Sequence, residues 1–113
     1  FNIESITFEA VLSTTVEDII TKDFNVEKAY PNPFNNEIKI PFTSNGQEII
    51  SAKIYNLKGE FITDLVNGML GKGKHVLNWN GINNKNKNVP SGTYLLIIDN
   101  EVTFHSQKII LLK

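Results

Sequence analysis

Ile49-Ile50-Ser51-Ala52-Lys53-Ile54-Tyr55-Asn56-Leu57-Lys58-Gly59-Glu60-Phe61-Ile62-Thr63-Asp64-Leu65-Val66 reads as two strand-like runs, 49–56 and 60–66, on either side of a turn. Asn56-Leu57-Lys58-Gly59 fits a type I turn closed by a left-handed glycine, the preferred chemistry of a short β-hairpin. Such a turn fixes register, so Ile50, Ala52 and Ile54 share one face while Ser51 and Lys53 point to the other. No window of helical length carries a 3.6-residue apolar period, and β-branched and aromatic residues fill the runs.

Flanking runs at 24–30, 37–42, 75–80, 93–99 and 103–112 bring the total to seven. Ile38, Ile40 and Phe42 alternate along one of them, and His75, Leu77 and Trp79 share a face of another. The pattern predicts an all-β, immunoglobulin-like β-sandwich of about seven antiparallel strands. At the start of the chain, Ile6, Phe8, Ala10 and Leu12 alternate with polar partners as one more strand. The polar, threonine-rich stretch 14–23 reads as a linker. Residues 1–13 are then expected to be the last strand of a preceding domain, or an edge strand added to the sandwich, with the main domain at 24–113. A start at Phe1, with no cationic and apolar leader, predicts a fragment whose export signal lies upstream.

The 113 residues leave room for one modest core. Apolar residues make up 41%, and seven Phe, three Tyr and one Trp place the chain among folded proteins. A net charge of -1, with every cation a lysine, argues against a nucleic-acid partner, which needs a concentrated basic face. Without cysteine there is no disulfide framework, thiolate metal site or cysteine nucleophile. Apolar runs such as 94–98 and 109–112 fall far short of the roughly 20 residues of a membrane helix, so no membrane insertion by a helix is expected.

Candidate chemistries mostly fail on residue type. Gly68-Met69-Leu70-Gly71-Lys72-Gly73-Lys74 matches a phosphate loop up to its lysine, but His75 stands where Ser or Thr must hold magnesium. The alternation from 75 to 80 also denies the helix that such a loop must open. The loop Asn80–Asn88 offers amide oxygens but no carboxylate and two lysines, which reads as a long turn rather than a calcium site. His75 and His105 lie in different strands without an acidic partner at a recurring spacing. No carboxylate pair stands out as acid and base. The chain is read as no enzyme, without cofactor or metal.

Two segments remain, one near each end of the domain. In Tyr30-Pro31-Asn32-Pro33-Phe34-Asn35, Pro31 and Pro33 fix φ and push Tyr30 and Asn32 out of the helical region. The reading is a stiff, extended entry anchored by Phe34, with Asn35-Asn36 turning the chain into the next strand. Pro41 cannot donate to a ladder, which places that strand at a sheet edge. In Lys108-Ile109-Ile110-Leu111-Leu112-Lys113 the apolar residues occupy both faces, the mark of a strand buried on two sides. Its lysines sit at solvated ends and discourage edge pairing.

Taken together, these two segments, Lys53-Ile54-Tyr55-Asn56-Leu57-Lys58-Gly59-Glu60, His75-Val76-Leu77-Asn78-Trp79-Asn80-Gly81 and Ser91-Gly92-Thr93-Tyr94 occur in the order and spacing of one known family. Residues 24–113 resemble the type A C-terminal sorting domain of the type IX (Por) secretion system. Asn80 stands where relatives often carry aspartate, and lysines replace the usual loop arginines. The resemblance implies a C-terminal secretion signal that directs its cargo protein through the outer membrane. It also implies periplasmic transit, then a secreted or cell-surface destination. The implied partners are the type IX translocon, its surface sortase-like protease and an upstream cargo domain in the same chain. The protease is expected to cut between Ser13 and Phe24 and to release the cargo or anchor it on the surface. The implied sorting motif comprises Pro31, Asn32, Pro33, Phe34, Gly92, Tyr94, Lys108, Ile109, Leu111 and Lys113. The alternative from another class is an accessory module that binds carbohydrate or protein through Tyr55, Phe61 or Trp79, or a structural spacer.

Overall fold

A computed structural model of the protein describes residues 24–113. The expected strand at 6–12, the linker at 14–23 and the boundary between them lie outside the described residues.

Among the described residues seven strands form: β1 (Phe24–Val26), β2 (Ile38–Ser44), β3 (Glu48–Asn56), β4 (Phe61–Leu70), β5 (Gly73–Trp79), β6 (Gly92–Asp99) and β7 (Phe104–Leu111). They make a three-stranded sheet of order β1-β2-β5 and a four-stranded sheet of order β4-β3-β6-β7, every pair antiparallel. This is an immunoglobulin-like sandwich in which the fourth strand joins the sheet of the third, sixth and seventh. Alternation decides the core. Ile38, Ile40 and Phe42 from one sheet face Ile50, Ala52, Ile54, Leu96, Ile98, Ile109 and Leu111 from the other, all almost fully buried. At about 25 cal/mol per Å² of apolar surface, that layer is the main stabilising term of the domain.

The β3–β4 hairpin forms as its turn residues dictate. Gly59 adopts φ +87°, the Gly59 amide donates to the Asn56 carbonyl at 3.0 Å, and the Asn56 side-chain oxygen accepts from the amides of Lys58 and Glu60. The phosphate-loop look-alike spans the end of β4, a turn and the start of β5, so no helix follows its lysine.

Two expectations are corrected here. Pro41 lies in β2, which is the central strand of its sheet and not an edge. The proline is tolerated because only the β1 side needs its missing N–H: the Pro41 carbonyl accepts from the Glu27 amide, and the Glu27 carbonyl is taken by the Gln107 side-chain amide at 2.7 Å. The ladder then slips by one residue before Tyr30 and Lys39 exchange both of their bonds. That slip ends β1 early, and the Ala29 amide, left out of register, donates to the Gln107 side-chain oxygen at 2.9 Å. The second correction concerns the run 109–112, which is not buried on two sides. Ile109 and Leu111 are fully buried, Ile110 is half-buried and Leu112 is 54% exposed, because β7 is the outer strand of its sheet and one of its faces meets solvent.

Candidate functional site

An outer strand presents a row of unpaired backbone groups. On β7 the C-terminal part of that row, from Lys108 to Leu112, is filled by the proline segment. The Asn32 carboxamide donates to the Lys108 carbonyl and accepts from the Ile110 amide, both at 2.9 Å. The Phe34 amide donates to the Ile110 carbonyl at 2.8 Å, and the Phe34 carbonyl accepts from the Leu112 amide at 2.9 Å. The Asn35 side chain then donates to the Leu112 carbonyl at 2.9 Å. Phe34 thus pairs with Leu111 as a single parallel bridge, and two asparagine carboxamides extend it by imitating the peptide groups of a longer strand.

The segment bends through residues 31–33, contrary to the extended course expected. The reason lies at its two ends. Tyr30 is tied to β2 in one sheet and Phe34 to β7 in the other, so the chain has to cross the open side of the sandwich between them.

Phe34 supplies the anchor. It is 1% exposed and lies 5.6 Å from the ring of Trp79, which in turn meets Tyr94 edge-on at 5.2 Å. Both polar tips are satisfied: the Trp79 indole N–H donates to the Ile82 carbonyl at 3.0 Å and the Tyr94 hydroxyl to the Pro90 carbonyl at 2.6 Å. The tyrosine bond reaches back four residues from the start of β6, the arrangement of a tyrosine corner. Burial raises the Tyr94 pKa above its usual value. Gly81, at φ +77°, leaves room for Leu111: a β-carbon there would sit 3.1 Å from the leucine methyl. Beyond it, the Lys113 amide donates to the Ser91 hydroxyl at 2.9 Å and its ammonium to the Asn88 side-chain oxygen at 3.1 Å.

The ten residues of the implied sorting motif therefore fall in one corner of the domain. Phe34, Tyr94, Ile109 and Leu111 are its buried part, and Gly92 pairs with Leu111 beneath it. Pro31, Asn32, Pro33, Lys108 and Lys113 are exposed. Gln107 has no signal in the sequence, and Asn35 and Asn88 read there only as turn residues, since an isolated amide carries no spacing signal and acquires its bonding role only when a partner 25 to 80 residues away arrives. The hairpin at 53–60 stands apart from this corner as a structural element.

The remaining candidates are accounted for by packing. His75 stacks on Phe42 at 5.3 Å and its Nε2–H donates to the Gly71 carbonyl, while His105 meets Phe24 edge-on at 5.4 Å. In the loop Asn80–Asn88, the Asn83 side-chain oxygen accepts from the amides of Lys85 and Lys87. No group of three metal-ligating side chains occurs among the described residues. Trp79 is buried, Tyr55 is half-buried against Phe61, and Phe61 is 43% exposed.

The model of the secretion system C-terminal sorting domain matches residues 28–112, from the proline segment through β7. The chain belongs to that family. A domain of this kind is the C-terminal sorting signal of the type IX secretion system, an address for export to the cell surface or for secretion, and is not itself catalytic. Among solved structures, the chain is similar to part of dimeric latent PorU from Porphyromonas gingivalis, with 16% identity and a TM-score of 0.60 over 79% of this chain and 9% of that one. It is also similar to part of PorZ, an essential bacterial surface component of the type IX secretion system of the same organism, with 18% identity and a TM-score of 0.54 over 89% of this chain and 13% of that one. At such identity the likeness is one of fold, and the sorting domain spans about a tenth of the length of each. No curated protein matches.

Proposed function

We propose that the export machinery recognises the folded corner as one composite surface, in which Pro31, Asn32, Pro33, Lys108 and Lys113 are displayed and Phe34, Gly92, Tyr94, Ile109 and Leu111 hold them in place. The observation that carries this reading is the run of five hydrogen bonds from residues 32–35 to 108–112, which makes two distant segments a single object. The proline segment takes its course from its bonds to β7, and β7 from its pairing with β6, so recognition follows folding. The domain folds in the periplasm, a translocon of the outer membrane then engages the corner, and an upstream cargo domain travels with it. A surface sortase-like protease cuts between Ser13 and Phe24, which releases the cargo or leaves it anchored on the surface. The polar composition of 14–23 supports that placement.

The test is a fusion of the whole chain to a periplasmic reporter in a host with the type IX system, beside a variant lacking Lys108–Lys113 and a variant carrying P31A, N32A and P33A. Export of the parent and retention of both variants is the expected result. Export that survives either change refutes a composite surface. Mass spectrometry of exported cargo that shows an intact chain from before Ser13 through Lys113 refutes the cleavage.

A further inference from the structure

The proline segment fills only part of the β7 edge. Lys108, Ile110 and Leu112 turn backbone groups away from β6 and toward residues 32–35, and strand alternation puts the N–H and C=O of Ser106 on that same side, with the N–H of Lys108. Among the described residues none of these three groups has a partner. They border a cleft of about 600 Å³ between the β1 and β7 edges, lined by Lys28, Ala29, Tyr30, Asn32, Gln107 and Lys108.

The walls of this cleft are fixed. Gln107 spans it, with one bond to the Glu27 carbonyl and one to the Ala29 amide, and Asn32 closes its lower end on Lys108. Two of the six lining residues are exposed lysines, none is acidic, and Tyr30 adds a ring that is 52% exposed. Open backbone groups on a strand edge select an extended chain, because only a strand presents donors and acceptors at the matching repeat. Two lysines with no ion-pair partner among the described residues select carboxylates on that chain.

We propose that this cleft is the docking groove for an acidic extended segment of the export machinery, which adds to β7 at Ser106–Lys108 between the ammonium groups of Lys28 and Lys108. The inference rests on the sorting function and names the chemistry of the partner at its corner. The proline segment then plays a second part, since by occupying 108–112 it leaves a short stretch of edge, long enough for a specific strand and too short for promiscuous pairing.

The probe is an acetylated, amidated hexapeptide of alternating glutamate and valine, with its glutamine counterpart as control. It is titrated into the full chain while backbone amide shifts are followed by NMR. The expected result is selective movement of the Ala29, Ser106, Gln107 and Lys108 resonances, affinity that falls with salt, and binding about tenfold weaker for the glutamine peptide and for K28Q/K108Q. K28R/K108R keeps the binding. Shifts confined to other faces, equal binding of the two peptides, undiminished binding to K28Q/K108Q, or no binding at all overturns the proposal. In the reporter host, K28E/K108E is expected to be retained. Export of K28E/K108E at the parent's level overturns the groove alone, whereas failure of the parent to be exported overturns the sorting reading and leaves the titration to decide the groove.

Discussion

Replacing Phe34 with Ala tests whether the proline segment and β7 stand as one unit. The ring is 1% exposed and packs on Trp79, and truncating a phenylalanine so buried costs about 3–5 kcal/mol. The site lies at the rim of the sandwich, where residues 31–36 are free to relax into the space left, so the lower end, about 3 kcal/mol, is expected. A domain of about 90 residues has a total of about 5–13 kcal/mol to lose. F34A is therefore expected to fold, but with a urea midpoint lowered by about 2–3 M for a slope of about 1–1.5 kcal/mol/M. Trp79, the single tryptophan, is buried beside the mutated ring and reports the transition by fluorescence. Hydrogen exchange supplies the second reading: the Ile110 and Leu112 amides, whose acceptors are the Asn32 side chain and the Phe34 carbonyl, lose protection ahead of the Leu96 amide in the core. A midpoint shift below about 0.5 M at unchanged slope, or unaltered exchange at Leu112, refutes the coupling of the two segments.

Gly81→Ala is expected to lower stability by about 1–3 kcal/mol, since it forces a left-handed conformation and drives a methyl toward Leu111; calorimetry with an unchanged melting temperature contradicts it. Gln107→Ala strands the Glu27 carbonyl and the Ala29 amide for a loss of about 1–2 kcal/mol, with accelerated exchange at Ala29 as the specific sign. The raised pKa of Tyr94 means that its proton is held more tightly in the folded state than in the unfolded one. Its contribution to stability is thus fully present below about pH 10 and is lost as pH rises through the folded-state value. Urea titrations in alkaline buffer should show that decline, and Tyr94→Phe should flatten it; an equal decline in both proteins removes Tyr94 as its source.

Most of the fold was legible because strand alternation and turn chemistry are local. Ile38, Ile40 and Phe42 declare a face by their spacing, and Asn56 to Gly59 set the hairpin without help from the rest of the chain. Pro41 points the wrong way because a missing donor does not by itself require a sheet edge. The sequence is silent about Gln107, 80 residues from the Glu27 carbonyl that it satisfies, and that bond is what admits the proline to a central strand. The run 109–112 misled in the opposite sense: apolar composition does not reveal which strand ends a sheet, and sheet order left Leu112 in solvent.

The amino-acid order alone determined the strands, the tight turn and the presence of two conspicuous segments, since each depends on neighbours a few bonds apart, and its composition alone excluded cysteine chemistry. Only the tertiary structure decided that Asn32, Phe34 and Asn35 bond to the backbone of 108–112, because those contacts are made by side chains and edge groups whose partners are distant in the chain and meet when two sheets close over a common core.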